Sequence, residues 1–114
     1  MDPKHRLTGS SDIRRVRNVG TSYAHPLVVL VASPNEMSQT RFAVTGGRQL
    51  GSAVRRNRAK RRLRAALRRL LPQVRPGWDA VWIARAGLPE AAWPDLERAV
   101  TGLCRRAGLM ERSA

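Results

Sequence analysis

Gly51-Ser52-Ala53-Val54-Arg55-Arg56-Asn57-Arg58-Ala59-Lys60-Arg61-Arg62-Leu63-Arg64-Ala65-Ala66-Leu67-Arg68-Arg69-Leu70-Leu71-Pro72 is a segment with two opposed characters. At 100° per residue, Ala59, Leu63, Ala66, Leu67 and Leu70 fall on one side, which predicts a long helix from Ser52 to about Leu71 with that side buried. Pro72 stops it, because proline disfavours helical geometry in the residue before it. The opposite side carries Asn57, Arg61, Arg64 and Arg68 in one row and Arg58, Arg62 and Arg69 in the next. Like charges at such spacings each cost about 0.2–0.5 kcal/mol in an isolated helix. From Met37 to Trp78 there is no Asp or Glu to relieve that cost, so the segment calls for an external polyanion.

The flanks read as alternating helices and strands. Upstream, Ser11 to Val19 is a short helix with Ser10 as N-cap, Asp12 in its first turn and Gly20 as its stop. Its apolar residues Ile13 and Val16 share a face. Leu27 to Ala32 is a continuous, β-branched-rich run of strand length, ended by Ser33-Pro34-Asn35. Arg41 to Thr45 is a second strand, broken or bent by Gly46-Gly47. Downstream of the long helix, Trp78 to Ala84 is a third strand. Pro94 then opens a last helix, with Asp95 and Glu97 in its opening turn and Leu96, Ala99, Val100, Leu103 and Cys104 as its apolar stripe. The order helix, strand, strand, helix, strand, helix predicts an α/β (α+β) two-layer sandwich, with an N-terminal helix, the long basic helix and a C-terminal helix packed on a small sheet. Residues 1–114 are expected to form one domain.

Lys plus Arg total 22 against 8 for Asp plus Glu, a formal charge of +14. Nucleic acid is the first partner such an excess suggests, because every neutralised phosphate releases a condensed counterion. Arginine outnumbers lysine on the long helix, and its planar fork grips phosphate in bidentate fashion and stacks on bases. Anionic membrane is the weaker choice. No apolar run approaches the ~18 residues of a spanning helix, and the charged N-terminus lacks the apolar stretch of a secretory signal. Cys104 is the single cysteine, so an internal disulfide and a cysteine-based zinc site are excluded and a reducing, cytoplasmic setting is expected.

A conventional nuclease would need clustered carboxylates for metal ions or a histidine pair for acid and base work. Here the acids are scattered, and His5 and His25 are the only histidines. No metal-ligand spacing, phosphate-cradling glycine loop or nucleophile motif is present. The protein alone is expected to catalyse nothing and to hold no metal. Cys104 reads as a small apolar residue beside Val100 and Leu103. Trp78, Trp82 and Trp93 read as core or edge packing rather than as base-stacking groups, while Tyr23 stays open between the two.

Gly51-Ser52-Ala53-Val54-Arg55-Arg56-Asn57-Arg58-Ala59-Lys60-Arg61 closely resembles the signature of the bacterial ribonuclease P protein component, in which a Gly-x-Ala-Val segment leads into Arg-Asn-Arg-x-Lys-Arg on a long helix. The resemblance extends over nearly the whole chain, through Arg6-Leu7, Ser11-Asp12, Gly20-Thr21-Ser22, Arg41, Asp79 and Ile83-Ala84-Arg85. It implies a mixed sheet of about four strands of the ribosomal protein S5 domain 2-like kind. It also implies a left-handed βαβ crossover, which the general rule would not suggest.

The resemblance further implies that Arg56, Asn57, Arg58, Lys60 and Arg61 contact the large catalytic RNA subunit; Arg55, Arg62, Arg64 and Arg68 of the same helix complete the expected RNA-binding set. A cleft between the first helix and the sheet would receive the single-stranded 5′ leader of precursor tRNA, bordered by Arg6, Ile13, Arg17, Leu30 and Arg48. In the family the RNA and its bound magnesium ions carry out the hydrolysis. This chain departs from the family at three places. Ile13 stands where the family usually has Phe, Arg17 replaces a second aromatic one turn later, and Thr45-Gly46-Gly47-Arg48-Gln49 replaces a Val-Ser-Lys-Lys type segment.

A structural ribonucleoprotein component such as a small ribosomal protein shares the charge and the missing catalytic groups; the Arg-Asn-Arg-x-Lys-Arg context argues against it. A DNA-reading protein is disfavoured because a groove helix mixes cations with several Asn, Gln, Ser or Thr base-readers. The other helices and strands argue against a basic membrane-surface helix.

Overall fold

The structure, a computed structural model, describes residues 3–111. Its helices are α1 (Ser10–Val19), α2 (Ala53–Leu70) and α3 (Trp93–Ala107), and its strands are β1 (Thr21–Ala24), β2 (Val28–Pro34), β3 (Arg41–Gly46) and β4 (Trp78–Ala84). The sheet order is β1-β2-β4-β3, with β1/β2 and β2/β4 antiparallel and β3/β4 parallel. Parallel neighbours need a crossover, and α2 supplies it.

The two central strands are apolar on both faces because both faces are covered. Toward α2 and α3, the sheet presents Val28, Leu30, Ala32, Phe42, Ala80, Trp82 and Ala84, packed against Ala59, Leu63, Leu67, Leu96, Val100 and Leu103. The other face presents Val31, Ala43 and Val81, capped by Leu7 and by Val16 of α1. Trp82 lies fully buried with its ring edge-on to Phe42, centroids 5.8 Å apart. Its indole N–H has no acceptor among the described residues, so it is a packing group. Tyr23 also packs against this core, with the Arg106 guanidinium 5.8 Å from its ring centre.

Several boundaries move. Gly9 occupies the α1 cap position and accepts from the Ile13 N–H at 2.9 Å, so Ser10 is the first helical residue rather than the cap. Ser52 caps α2, its side chain accepting from the Arg55 N–H at 3.2 Å. Leu71–Gln73 forms a 3₁₀ turn after α2. The first apolar run becomes Val28–Pro34 because its antiparallel partner β4 continues to Trp78, opposite Pro34. β1 is the fourth strand that the resemblance implied but that the residue pattern did not place. It is an edge strand in which only Tyr23 is even partly buried, so no alternation of apolar residues marks it.

α1 approaches β2 closely at Gly20. A Cβ there would sit 2.6 Å from the Val16 carbonyl oxygen and 2.9 Å from that of Ala32. Gly20→Ala should therefore cost about 1–3 kcal/mol through overpacking, read as a lower denaturant midpoint at unchanged slope.

Candidate nucleic-acid interface

The α2 helix separates its two faces as its periodicity demands. Leu63 and Leu67 are fully buried, whereas Asn57, Arg58, Arg61, Arg64 and Arg68 are exposed. The cations then divide by what they touch. Arg58, Lys60, Arg61, Arg64 and Arg68 have no hydrogen-bond or ion-pair partner among the described residues. Val54, Asn57, Lys60, Arg61 and Arg64 line a shallow depression on this face.

The others are engaged. Arg62 donates to the carbonyls of Leu88 (2.9 Å), Pro89 (3.0 Å) and Ala91 (2.6 Å). Arg55 donates to the Ala86 carbonyl and to Glu90, both at 2.9 Å. Arg56 reaches the Gly51 carbonyl, and Arg69 lies 3.7 Å from Glu97. The expectation that α2 has no acidic neighbour is thereby corrected, since the fold brings Glu90 and Glu97 from beyond β4. Such exposed pairs contribute little stability, but they turn Arg55 and Arg69 toward the protein. Arg62 is a brace for the 88–91 turn, not a free cation.

A cleft opens beside β3, lined by Arg6, Leu7, Thr8, Ile13, Phe42, Ala43, Val44 and Arg64. Arg6 and Ile13 are therefore brought together, and Arg64 joins the cleft to the α2 depression. Leu30 is not part of it. It is fully buried on the opposite sheet face against α2 and α3, because successive strand residues alternate sides. Its neighbour Val29 is the one on the α1 side, half-buried and paired with Ile83, which pairs in turn with Thr45. An alternation count started from Val31 would have found Val29; a continuous apolar run conceals the phase. Arg17 is exposed and, two residues or about 200° from Arg15, lies on the flank of α1 away from the side that Arg15 uses. Arg48 is exposed in the 3₁₀ turn Arg48–Leu50, outside the cleft lining.

The side of α1 carrying Arg15 reaches the most buried charge in the fold. Asp79 has no solvent exposure and accepts from Arg41 Nε (2.9 Å) and a terminal Arg41 nitrogen (2.8 Å), from Arg15 (3.0 Å) and from Asn35 Nδ2 (2.9 Å). Burial alone would raise its carboxyl pKa, but the hydrogen bonds from Arg41, Asn35 and Arg15 outweigh it and hold the group below its ordinary value. The Arg41 guanidinium is held above its own ordinary value, first by its hydrogen bond to Asp79. Burial also pushes the Cys104 thiol up to about 12, so it stays a protonated packing group.

Among the described residues no three His, Cys, Asp or Glu side chains come together as a metal site, and Asp79 is saturated by its donors. This donor set does not fit a protein-held magnesium ion. No helix of the described residues is long and apolar enough to cross a membrane.

The Ribonuclease P family model matches residues 1–108. The chain is 42% identical over 109 residues to the ribonuclease P protein component of Herpetosiphon aurantiacus, covering 96% of this chain and 89% of that one. It is 43% identical over 109 residues to that of Symbiobacterium thermophilum, covering 96% and 92%. In structure it is similar to the RNase P protein from Thermotoga maritima, with a TM-score of 0.79 at 27% identity, covering 89% of this chain and 96% of that one. The fold is shared with the RNase P protein of Staphylococcus aureus, with a TM-score of 0.81 at 22% identity over 94% and 98% of the two chains.

Proposed function

The chain belongs to the ribonuclease P protein family, and on that premise we propose that the free cations of α2 hold the catalytic RNA while the cleft beside α1 takes the 5′ leader of precursor tRNA. The protein subunit of ribonuclease P assists an RNA-catalysed, magnesium-dependent removal of that leader. Hydrolysis is assigned to the RNA subunit, which also holds the magnesium. The observation that carries the reading is the set Arg58, Lys60, Arg61, Arg64 and Arg68, without a partner among the described residues, with the four arginines exposed away from the buried stripe and Lys60 half-buried at its flank. Counterion release makes such a row a phosphate-binding element without sequence preference. Residues 1–114 act as one RNA-binding unit in the bacterial cytoplasm.

In the cleft, Ile13 supplies apolar contact and Arg6 supplies charge; the half-buried Val29 and Ile83 on the same side of the sheet, and the exposed Arg17 one turn along α1 from Ile13, stand outside that lining and would extend it. Aromatic stacking contributes about 1–3 kcal/mol per base in single-strand binding, and an aliphatic side chain lacks the ring-on-ring part. Leader recognition should therefore rest more on charge. In holoenzyme reconstituted with the matching catalytic RNA, Arg17→Ala is expected to lower the ratio of precursor to mature tRNA affinity more than Ile13→Ala does. Added salt is expected to erode the wild-type ratio. A ratio left unchanged by Arg17→Ala at every salt concentration would remove Arg17 from the leader path.

A further inference from the structure

α1 carries Ile13 into the cleft lining and the exposed Arg17 one turn further along the same side of the helix, yet it is held to the rest of the fold by little. It has ten residues, no side-chain bond at its N-cap, and one buried residue, Val16. A helix of this length has negligible stability of its own in water, so its position over the sheet is set by tertiary contacts. Val16 inserts among Val31, Ala43 and Val81, Gly20 lets the helix end abut β2, and Arg15 reaches Asp79.

The last contact has a directional character that the first two lack. A methyl group in an aliphatic patch tolerates sliding, whereas the guanidinium of Arg15 donates at 3.0 Å to one oxygen of a buried carboxylate already held by Arg41 and Asn35. Asp79 is fixed on the central strand β4 by Arg41 and Asn35. Arg15 is 44% exposed, and its other acidic neighbour, Asp12, lies 3.8 Å away on the same helix. That pair cannot fix α1 to anything else.

We propose that Arg15 is a positioning residue for leader recognition, a latch that ties α1 to the buried Asp79 and so sets where Ile13 and Arg17 stand over the sheet. The proposal rests on the leader-cleft reading above. Arg15 need not touch RNA: it is on the flank of α1 opposite Arg17.

The test uses reconstituted holoenzyme with Arg15→Ala and Arg15→Lys, measuring catalytic-RNA affinity, precursor and mature tRNA affinity across a salt series, and amide exchange of α1 in the free protein. Arg15→Ala is expected to lower the precursor-to-mature affinity ratio roughly two- to fivefold, the scale of one partly exposed ion pair. Catalytic-RNA affinity should stay within about twofold, and the salt slope of precursor binding should be unchanged. Exchange should speed up in α1 while β2 and β4 keep their protection. Arg15→Lys, which can still reach Asp79 with a single donor, should restore most of the ratio. A fall in the salt slope by about one unit would instead make Arg15 a direct phosphate contact and overturn the latch. Full wild-type preference in Arg15→Ala overturns the latch alone, and a wild-type holoenzyme without any leader preference overturns the cleft reading and the latch together.

Discussion

Asp79→Ala should lower the stability of the free protein by about 3–5 kcal/mol, the cost of removing one partner from a buried, hydrogen-bonded charge network. The carboxylate is fully buried and receives four donor contacts, from Arg41, Arg15 and Asn35. Without it the Arg41 guanidinium, itself mostly covered, is left beside β4 with only the weaker, longer-range attraction of Asp12. Chemical denaturation should show a lower midpoint at similar slope. Acid adds a second signature. The Asp79 carboxyl is held below its ordinary value in the fold, so the stability it contributes is fully present above the unfolded value of about 4. That contribution is lost as pH falls through the depressed folded value. Asp79→Asn should flatten the stability profile in that acid window, and a variant that keeps the wild-type acid dependence would assign it to other carboxylates.

The second large effect concerns RNA. The triple variant Arg58→Ala, Arg61→Ala, Arg64→Ala should flatten the dependence of catalytic-RNA binding on salt by about two to three units of logarithmic slope. Over a fourfold rise in salt, the wild type would then lose roughly 15- to 60-fold more affinity than the variant. Arg62→Ala is the informative contrast. Its guanidinium already serves the carbonyls of Leu88, Pro89 and Ala91, so its removal should lower stability by about 1–3 kcal/mol and leave the slope alone. Equal slopes for the triple variant and the wild type would mean that the phosphates lie elsewhere; a slope change in Arg62→Ala would mean that its brace opens on binding.

Local pattern was sufficient for the long helix and its buried stripe, for Trp78–Ala84 as a strand, for α3 and for the sign of the partner's charge. Helical periodicity and a one-sided charge run are properties of neighbours in the chain, and the short-range physics that creates them is complete within a few residues. What remained hidden depends on residues far apart in sequence. β1 exists because β2 offers it an edge, not because Thr21-Ser22-Tyr23-Ala24 has a pattern of its own. The placement of Leu30 against α2 and α3, with Val29 on the α1 side, follows from which helix covers which face of a run that is apolar throughout. The eight cations among the nine side chains expected on RNA looked alike as a charge run, and only the return of the 86–91 segment to α2 separated the braced Arg55 and Arg62 from the free Arg58, Lys60, Arg61, Arg64 and Arg68. Asp79 was visible as an acid in an apolar strand, but its partners Arg15, Asn35 and Arg41 stand 64, 44 and 38 residues away. Sequence alone determined which groups this protein possesses and which helix faces oppose each other. Tertiary structure decided which charges remain available to a partner, because a charge is removed from solvent by whatever the fold brings beside it.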